Sequence, residues 1–190
     1  QVGSGNTTEV NIGDSSDRNT VSILQKGSNN DSEVDVEYSS DKNVVSIVQK
    51  GSSNDADEVD IKYSSDKNTV SVNQRGSSNE ADVDIENYSD RNSVRVSQRG
   101  SNNDAEVDIE NYSDKNSVSI LQRGSGNNAD MGDDGEIDED SDKNSVRIAQ
   151  FGSDNDAIVD LDEDADGNTV RILQRGSGNS VDMGDDGEIN

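Results

Sequence analysis

One phrase, Asn116-Ser-Val-Ser-Ile-Leu-Gln122-Arg-Gly124-Ser-Gly-Asn127, recurs from Asn19, Asn43, Asn68, Asn92, Asn144 and Asn168, and its second half opens the chain at Gln1. The leading Asn advances by 24, 25, 24, 24, 28 and 24 residues. Gln25, Gln49, Gln74, Gln98, Gln122, Gln150 and Gln174 keep the same step, as do Gly27, Gly51, Gly76, Gly100, Gly124, Gly152 and Gly176. So do the Asn residues that close the phrase, Asn30, Asn54, Asn79, Asn103, Asn127, Asn155 and Asn179. A fixed period of about two dozen residues marks a stacked architecture, because one such unit buries its apolar face only against its neighbours.

Within each repeat the side chains alternate. Asn19, Val21, Ile23 and Gln25 fall on one face, Thr20, Ser22 and Leu24 on the other. After the Gly turn, Asn30, Ser32, Val34 and Val36 share a face, with Asp31, Glu33 and Asp35 opposite. This is the strand period of two, and no i, i+3, i+4 stripe supports a helix. The fold class is therefore all-β: a cross-β, amyloid-like β-solenoid with two strands per rung of about 24 residues and about seven and a half rungs. A single domain spans 1–190, with a partial rung over 1–18 and rungs starting near 19, 43, 68, 92, 116, 144 and 168. The one-residue excess lies in Asp55–Asp60 and predicts a β-bulge or widened loop. The phrase Met-Gly-Asp-Asp-Gly-Glu-Ile, at 131–137 and again at 183–189, reads as a surface insert.

Composition narrows the function. The chain is 26% hydrophobic, lacks Pro, Cys, His and Trp, and carries a net charge of −26. Such values lie at the edge of intrinsic disorder, and the positional regularity argues against it. An acidic surplus repels phosphate, so nucleic acid is excluded as a partner. No run of apolar residues exceeds three, so no membrane insertion is expected. Beginning at Gln1 without a signal-like segment, the chain reads as a processed, exported protein would, and as a shortened one would too. With no His, no Cys and no residue set apart from the repeat, an enzyme is not expected.

In-register stacking turns each repeat position into a column. Gln and Asn columns on the apolar side predict amide ladders, in which each buried amide bonds its copies above and below. Outside, Lys26, Lys50, Arg75, Arg99, Arg123, Phe151 and Arg175 form a cationic column broken once. Arg18, Lys42, Lys67, Arg91, Lys115 and Lys143 form another, beside an acidic column from Asp17 to Asp166. Asp35, Asp60, Asp84, Asp108 and Asp160 make a second acidic column. Like charges one rung apart repel by about 1 kcal/mol even in water, so salt or cations should matter to assembly.

The phrase Gln-x-Gly-x-x-Asn-x-Ala carries a resemblance. Gln74 through Ala81 and Gln98 through Ala105 hold it in full, as do Gln49 through Ala56, Gln122 through Ala129 and Gln150 through Ala157. The chain resembles the curlins, subunits of bacterial curli amyloid fibres, whose repeat is approximately Ser-x5-Gln-x-Gly-x-x-Asn-x-Ala-x3-Gln. Here the opening Ser is Asn, and the second Gln is aliphatic at Val36, Ile85, Ile109 and Leu161. The resemblance implies a secreted subunit polymerising into an extracellular, cell-surface fibre for biofilm matrix and adhesion, with a nucleator subunit and secretion machinery as partners. Open strands at both ends of a solenoid template further chains unless capped, and neither terminus offers a cap. End-to-end homopolymer growth is then expected, with Val10, Ile12, Val170, Ile172 and Gln174 at the subunit interface.

No cofactor is required by this reading. Asp162, Asp164 and Asp166, before Gly167, match the first half of an EF-hand loop and make a candidate weak Ca²⁺ site. Leu173 stands where the closing bidentate acid belongs, and an acidic solvated turn explains the same residues. The Gly-Gly-x-Gly-x-Asp repeat of Ca²⁺ β-rolls and the Thr-x-Thr array of ice-binding solenoids are both absent. The alternative to a fibre subunit is a monomeric acidic solenoid that binds Ca²⁺ or a surface.

Overall fold

The computed structural model describes residues 1–183 apart from 14, 57, 110, 132–140 and 162–164. Sixteen strands and no helix occur among the described residues. Eight of them build one parallel sheet: β1 (Val2–Ser4), β3 (Thr20–Ser28), β5 (Val44–Ser52), β7 (Thr69–Ser77), β9 (Ser93–Ser101), β11 (Ser117–Ser125), β13 (Ser145–Ser153) and β15 (Thr169–Ser177), in that order. The opposite wall is made of β2 (Glu9–Ile12), β4 (Glu33–Val36), β6 (Glu58–Ile61) and β8 (Asp82–Val83), followed by β10 (Asp104–Ala105), β12 (Asn128–Asp130), β14 (Asp156–Ile158) and β16 (Ser180–Asp182). Odd and even strands alternate along the chain, so each rung crosses once along each wall and the whole is a β-solenoid.

Register is exact to the repeat. Val45 pairs Val21 and Val70, Gln49 pairs Gln25 and Gln74, and Gly51 pairs Gly27 and Gly76. Across the 28-residue step the pairing still sets Gln122 beside Gln150 and Gly124 beside Gly152. A one-residue slip would turn every inward Val and Ile outward, so the apolar alternation locks this register. The core is the strip of Val, Ile and Ala that results, including Val45, Ile47, Ala56, Val59 and Ile61, all at most 1% exposed.

The second wall is assigned as two four-stranded sheets because the strand segment shifts within the repeat. It lies over Val-x-Val in the early rungs and over the Asn-x-Ala segment in the later ones. Hydrogen bonding nevertheless crosses the break, from Glu80 N–H to the Asn103 carbonyl (2.9 Å), Asp84 N–H to Val107 (3.2 Å) and Glu86 N–H to Ile109 (3.0 Å). The extra residue of the rung that starts at Asn43 is taken up between buried Ala56 and Val59, opposite the single residues Glu33 and Asp82. Asp57, the residue in that gap, lies outside the described residues. The insert phrases start on core side chains: Met131 is fully buried and Met183 packs against the core. Residues 132–137 and 184–189 lie outside the described part.

The turn glycines are fixed by backbone approach as well as by conformation. Gly100 has φ +135°, and a Cβ built on it would run into the carbonyl oxygen of Gly124 in the next rung. No L-residue relieves that, whereas Gly178, at φ +64°, has open space around it. Gly100→Ala is expected to cost roughly 3 kcal/mol or more, and Gly178→Ala about 1 kcal/mol. Denaturant midpoints of the two variants check the contrast.

Candidate functional site

The polar side chains that face inward are organised as ladders at the two turns. At the turn after the first strand, Gln25 Nε2 donates to Gln49 Oε1 (3.0 Å), Gln49 to Gln74 (3.0 Å), and so on to Gln150 and Gln174 (2.9 Å). Gln1 extends the series downward, donating to Gln25 Oε1 at 2.8 Å. From Gln25 to Gln174 each Nε2 also donates to the carbonyl of its own rung's closing Asn, as Gln74 does to Asn79 at 3.0 Å, which staples the turn.

The closing Asn residues form a second ladder of opposite sense. Asn30 Nδ2 donates back to Asn6 Oδ1 (2.9 Å), Asn54 to Asn30 (2.8 Å), and the series ends with Asn179 donating to Asn155 (2.6 Å). Gln donors therefore point toward the C-terminal end of the stack and Asn donors toward the N-terminal end. From Asn30 to Asn155 and from Gln25 to Gln150 these amides are at most 1% exposed, a burial that only paired amides tolerate.

The leading Asn column does something else. Asn19 Nδ2 donates to the Ser40 carbonyl (2.7 Å), and its Oδ1 accepts the backbone N–H of Asn43 (2.8 Å). Asn43, Asn68, Asn92, Asn116 and Asn144 repeat this, each reaching one rung upward to backbone, and the Oδ1 of Asn144 accepts the N–H of Asn168 (2.8 Å). The amide-to-amide ladder expected for this column is replaced by a side-chain-to-backbone one. The parity of the strand places the side chain inward but leaves its partner undetermined.

Two further columns serve the same turn. The buried hydroxyl oxygens of Ser40, Ser65 and Ser89 accept the N–H of the next serine, at 3.0 Å in each case. The column continues through Ser141 to the N–H of Ala165 (3.1 Å). In the Asp column, Asp66 Oδ1 accepts the N–H of Asp41 (2.7 Å), Asp114 that of Asp90 (2.7 Å) and Asp166 that of Asp142 (2.8 Å). These carboxylates are stacking acceptors as well as surface charges. The signal for these bonds is the recurring Ser-Asp-Lys/Arg-Asn string itself. Asp166 thus does here what its column does in every rung, while Asp162 and Asp164 lie outside the described residues. The cation that precedes each leading Asn sits in the left-handed region, with φ between +61° and +63° from Arg18 to Lys143, and Gly167 takes that place at +71°.

The outer faces are sorted by charge. None of the eight strands of the large sheet contains Asp or Glu, and their outward side chains carry Lys26, Lys50, Arg75, Arg95, Arg99, Arg123, Arg147, Arg171 and Arg175. Phe151, the break in that column, lies between the Arg123 and Arg175 guanidinium groups, each 5.8 Å from its ring centre, an arrangement that replaces a repulsion by two cation–π contacts. The charged residues within the strands of the other wall are all acidic. Lys62, just beyond β6, clamps three of these carboxylates: Asp60 (3.0 Å), Asp84 (3.8 Å) and Glu86 (2.5 Å). Burial works against its charge, but the hydrogen bonds to Glu86 and Asp60 prevail and raise its pKa. At the corner beside this wall, Tyr38 stacks on Tyr63 (4.4 Å between centroids) and Tyr88 on Tyr112 (5.2 Å).

The ends complete the picture. Among the described residues β2 pairs only with β4, and β15 only with β13, so each has an outer backbone edge without a strand partner there. Val10 and Ile12 are 43% and 44% exposed. Val170 and Ile172 are in the core at 5%, so they meet the end surface through the edge of β15 rather than as exposed side chains. Gln174, 4% exposed, lines a groove of about 550 Å³ at this end with Leu173, Arg175, Asn179, Ser180 and Val181. No family model, curated protein or solved structure matches the chain.

Two predictions follow from these columns. Gln98→Ala leaves the buried Oε1 of Gln122 without its donor, removes the acceptor that Gln74 Nε2 shares with the Asn79 carbonyl, and is expected to cost about 2–4 kcal/mol by chemical denaturation. Asp84 is pushed up from an ordinary 3.8 to about 7, first by burial and then by Asp82, Asp60 and Glu86, against the lowering by Lys62. Asp35, Asp104 and Glu106 are raised as well, burial being the largest cause at each. A carboxyl raised on folding binds its proton more tightly in the folded chain, so its contribution is full below 3.8 and is lost as pH rises through about 7. Thermal midpoints should be higher at about pH 5 than at about pH 8, and Asp84→Asn should narrow the difference by raising the alkaline value.

Proposed function

We propose that the chain is a structural subunit that stacks end to end into an extracellular, curli-like amyloid fibre of a biofilm or cell-surface matrix. The observation that carries this reading is the complementarity of the two ends. The Gln ladder finishes at the C-terminal end on the Nε2 donor of Gln174 and begins on Gln1, whose Oε1 is an acceptor. The Asn ladder runs the other way, finishing on Asn179, whose Oδ1 is an acceptor, and beginning on Asn6, whose Nδ2 is a donor. A second copy stacked head to tail continues both, Gln174 donating to its Gln1 and its Asn6 donating to Asn179. Head-to-head stacking sets donor against donor in the Gln column, so the fibre has one polarity.

The open edges of β2 and β15 support the same reading, since unpaired strand edges template further strands. The partner is another copy of the chain; a nucleator subunit, secretion machinery and a secreted, cell-surface location come with the curlin resemblance. Crowded carboxylates with raised pKa favour a second reading, a monomeric acidic module holding Ca²⁺ or a surface. Electron microscopy and fibre diffraction of the purified chain, with and without Ca²⁺, separate the two. Unbranched filaments with a rung spacing of about 4.8 Å are expected. Monomers that persist under all conditions and take up Ca²⁺ in fixed proportion overturn the fibre. Val10→Asp with Ile12→Asp is expected to stop filament growth while leaving the circular dichroism of the monomer unchanged.

A further inference from the structure

The sorting of charge by face gives the solenoid two unlike walls, whatever happens at its ends. On the large sheet the cations project from strands that hold no carboxylate, and none of them makes an ion pair with a described residue. The middle of this wall is concave. Arg95, Ser119 and Arg147 stand in one column on successive rungs, and Arg123 stands two outward columns along the strand from Ser119, beyond the column of Ser97 and Leu121. Together with Ser97 and Leu121, they line a groove of about 390 Å³. Its rim is guanidinium and its floor is hydroxyl and aliphatic, a surface suited to rows of carboxylates.

Such rows exist on the other wall of the same chain. Glu58 and Asp82 are register partners, and Glu106 and Asp130 continue that column on the next two rungs. Because every rung contributes to both walls, cations and carboxylates share one axial repeat. Two stacks lying side by side therefore match at several successive rungs rather than at one.

We propose that the cationic wall is a docking surface for the carboxylate wall of a second copy, laid alongside with its rungs level. The contact is heterologous, cationic wall to acidic wall, so it does not close on itself and each added copy presents a fresh cationic wall. This is lateral association and does not rest on end-to-end growth: one isolated solenoid already has both walls. The raised pKa of Asp84 fits a wall whose carboxylates gain from an opposing cationic surface.

The test compares the unaltered chain with R95E/R123E/R147E and with the milder R95S/R123S/R147S, whose side chains lie outside the core and leave the ladders intact. Light scattering and electron microscopy are read at about 20 mM and about 500 mM NaCl, where the screening length falls several-fold. The expected result is assemblies several solenoids wide at low salt that separate at high salt. Lateral association should weaken more than about tenfold in the charge-reversed variant and by an intermediate amount in the serine variant, with circular dichroism unchanged. Filament length reports end-to-end stacking and width reports lateral docking, so the two fail separately. Salt-insensitive widening, or equal widening in the variants, overturns the proposal. So does an unassociated chain whose cationic wall takes up heparin instead, since the occupant is then a polysaccharide.

Discussion

Every rung of this protein depends on inter-rung hydrogen bonds made by side chains, above all those of the Gln and closing Asn columns. A primary amide has donor and acceptor on the same group, so a stack of identical amides satisfies itself indefinitely, and a lone rung leaves both functions exposed to an apolar interior. The two columns run in opposite senses, Gln49 donating upward to Gln74 and Asn79 donating downward to Asn54. The turn between them must keep the rungs close, which is why Gly76, at φ +134°, sits where any Cβ would meet the next rung's backbone. Apolar Val and Ile columns then fill the space between turns. Remove the amides and the interior has polar groups without partners; remove the Gly and the rungs cannot approach.

That arrangement was largely legible in the repeat itself, because period, parity and step locate a column without any coordinates. Gln25, Gly27 and Asn30 and their copies are found by counting. What counting does not supply is the partner of each atom. The leading Asn43 shares the inward parity of Gln49, yet it binds the N–H of Asn68 and the carbonyl of Ser65, because the turn there exposes backbone rather than another amide. Ser65 and Asp66, small polar residues of a kind common in turns, bond the neighbouring rungs as well. The positive φ of Lys67 or Ser78 carries no residue signature, since neither is Gly or Asn; stacking alone holds them there. The shift of strand position between β8 and β10 is likewise invisible in a string of Ala-x-Val-x-Ile common to both rungs.

Average charge conceals more than it tells. A net −26 suggests a polyanion, but the large sheet has a cationic outer wall, since an alternating strand separates what lies on opposite faces and a stack repeats that choice in every rung. The cost is a column of like charges about one rung apart. Three devices reduce it: Phe151 set between Arg123 and Arg175, Lys62 among Asp60, Asp84 and Glu86, and carboxylates of the Asp column engaged by backbone N–H groups. Where none acts fully, as at Asp84, the proton is held instead, and the carboxyl titrates near neutrality.

A ladder has no internal reason to stop. Each strand of the large sheet from β3 to β13 is paired with the one above and the one below, so among the described residues the open ends of the Gln and Asn ladders and the unpaired edges of that sheet collect at its two ends. A globular domain spreads such groups over its surface and pairs them with water, whereas a solenoid concentrates them in two small, opposed and mutually complementary sets. The opposite senses of the Gln and Asn ladders make those sets distinguishable: one end offers donor at Gln and acceptor at Asn, the other the reverse. Polarity is thus written into amide orientation rather than into any special terminal sequence, and a rung added at either end reproduces the end it covers.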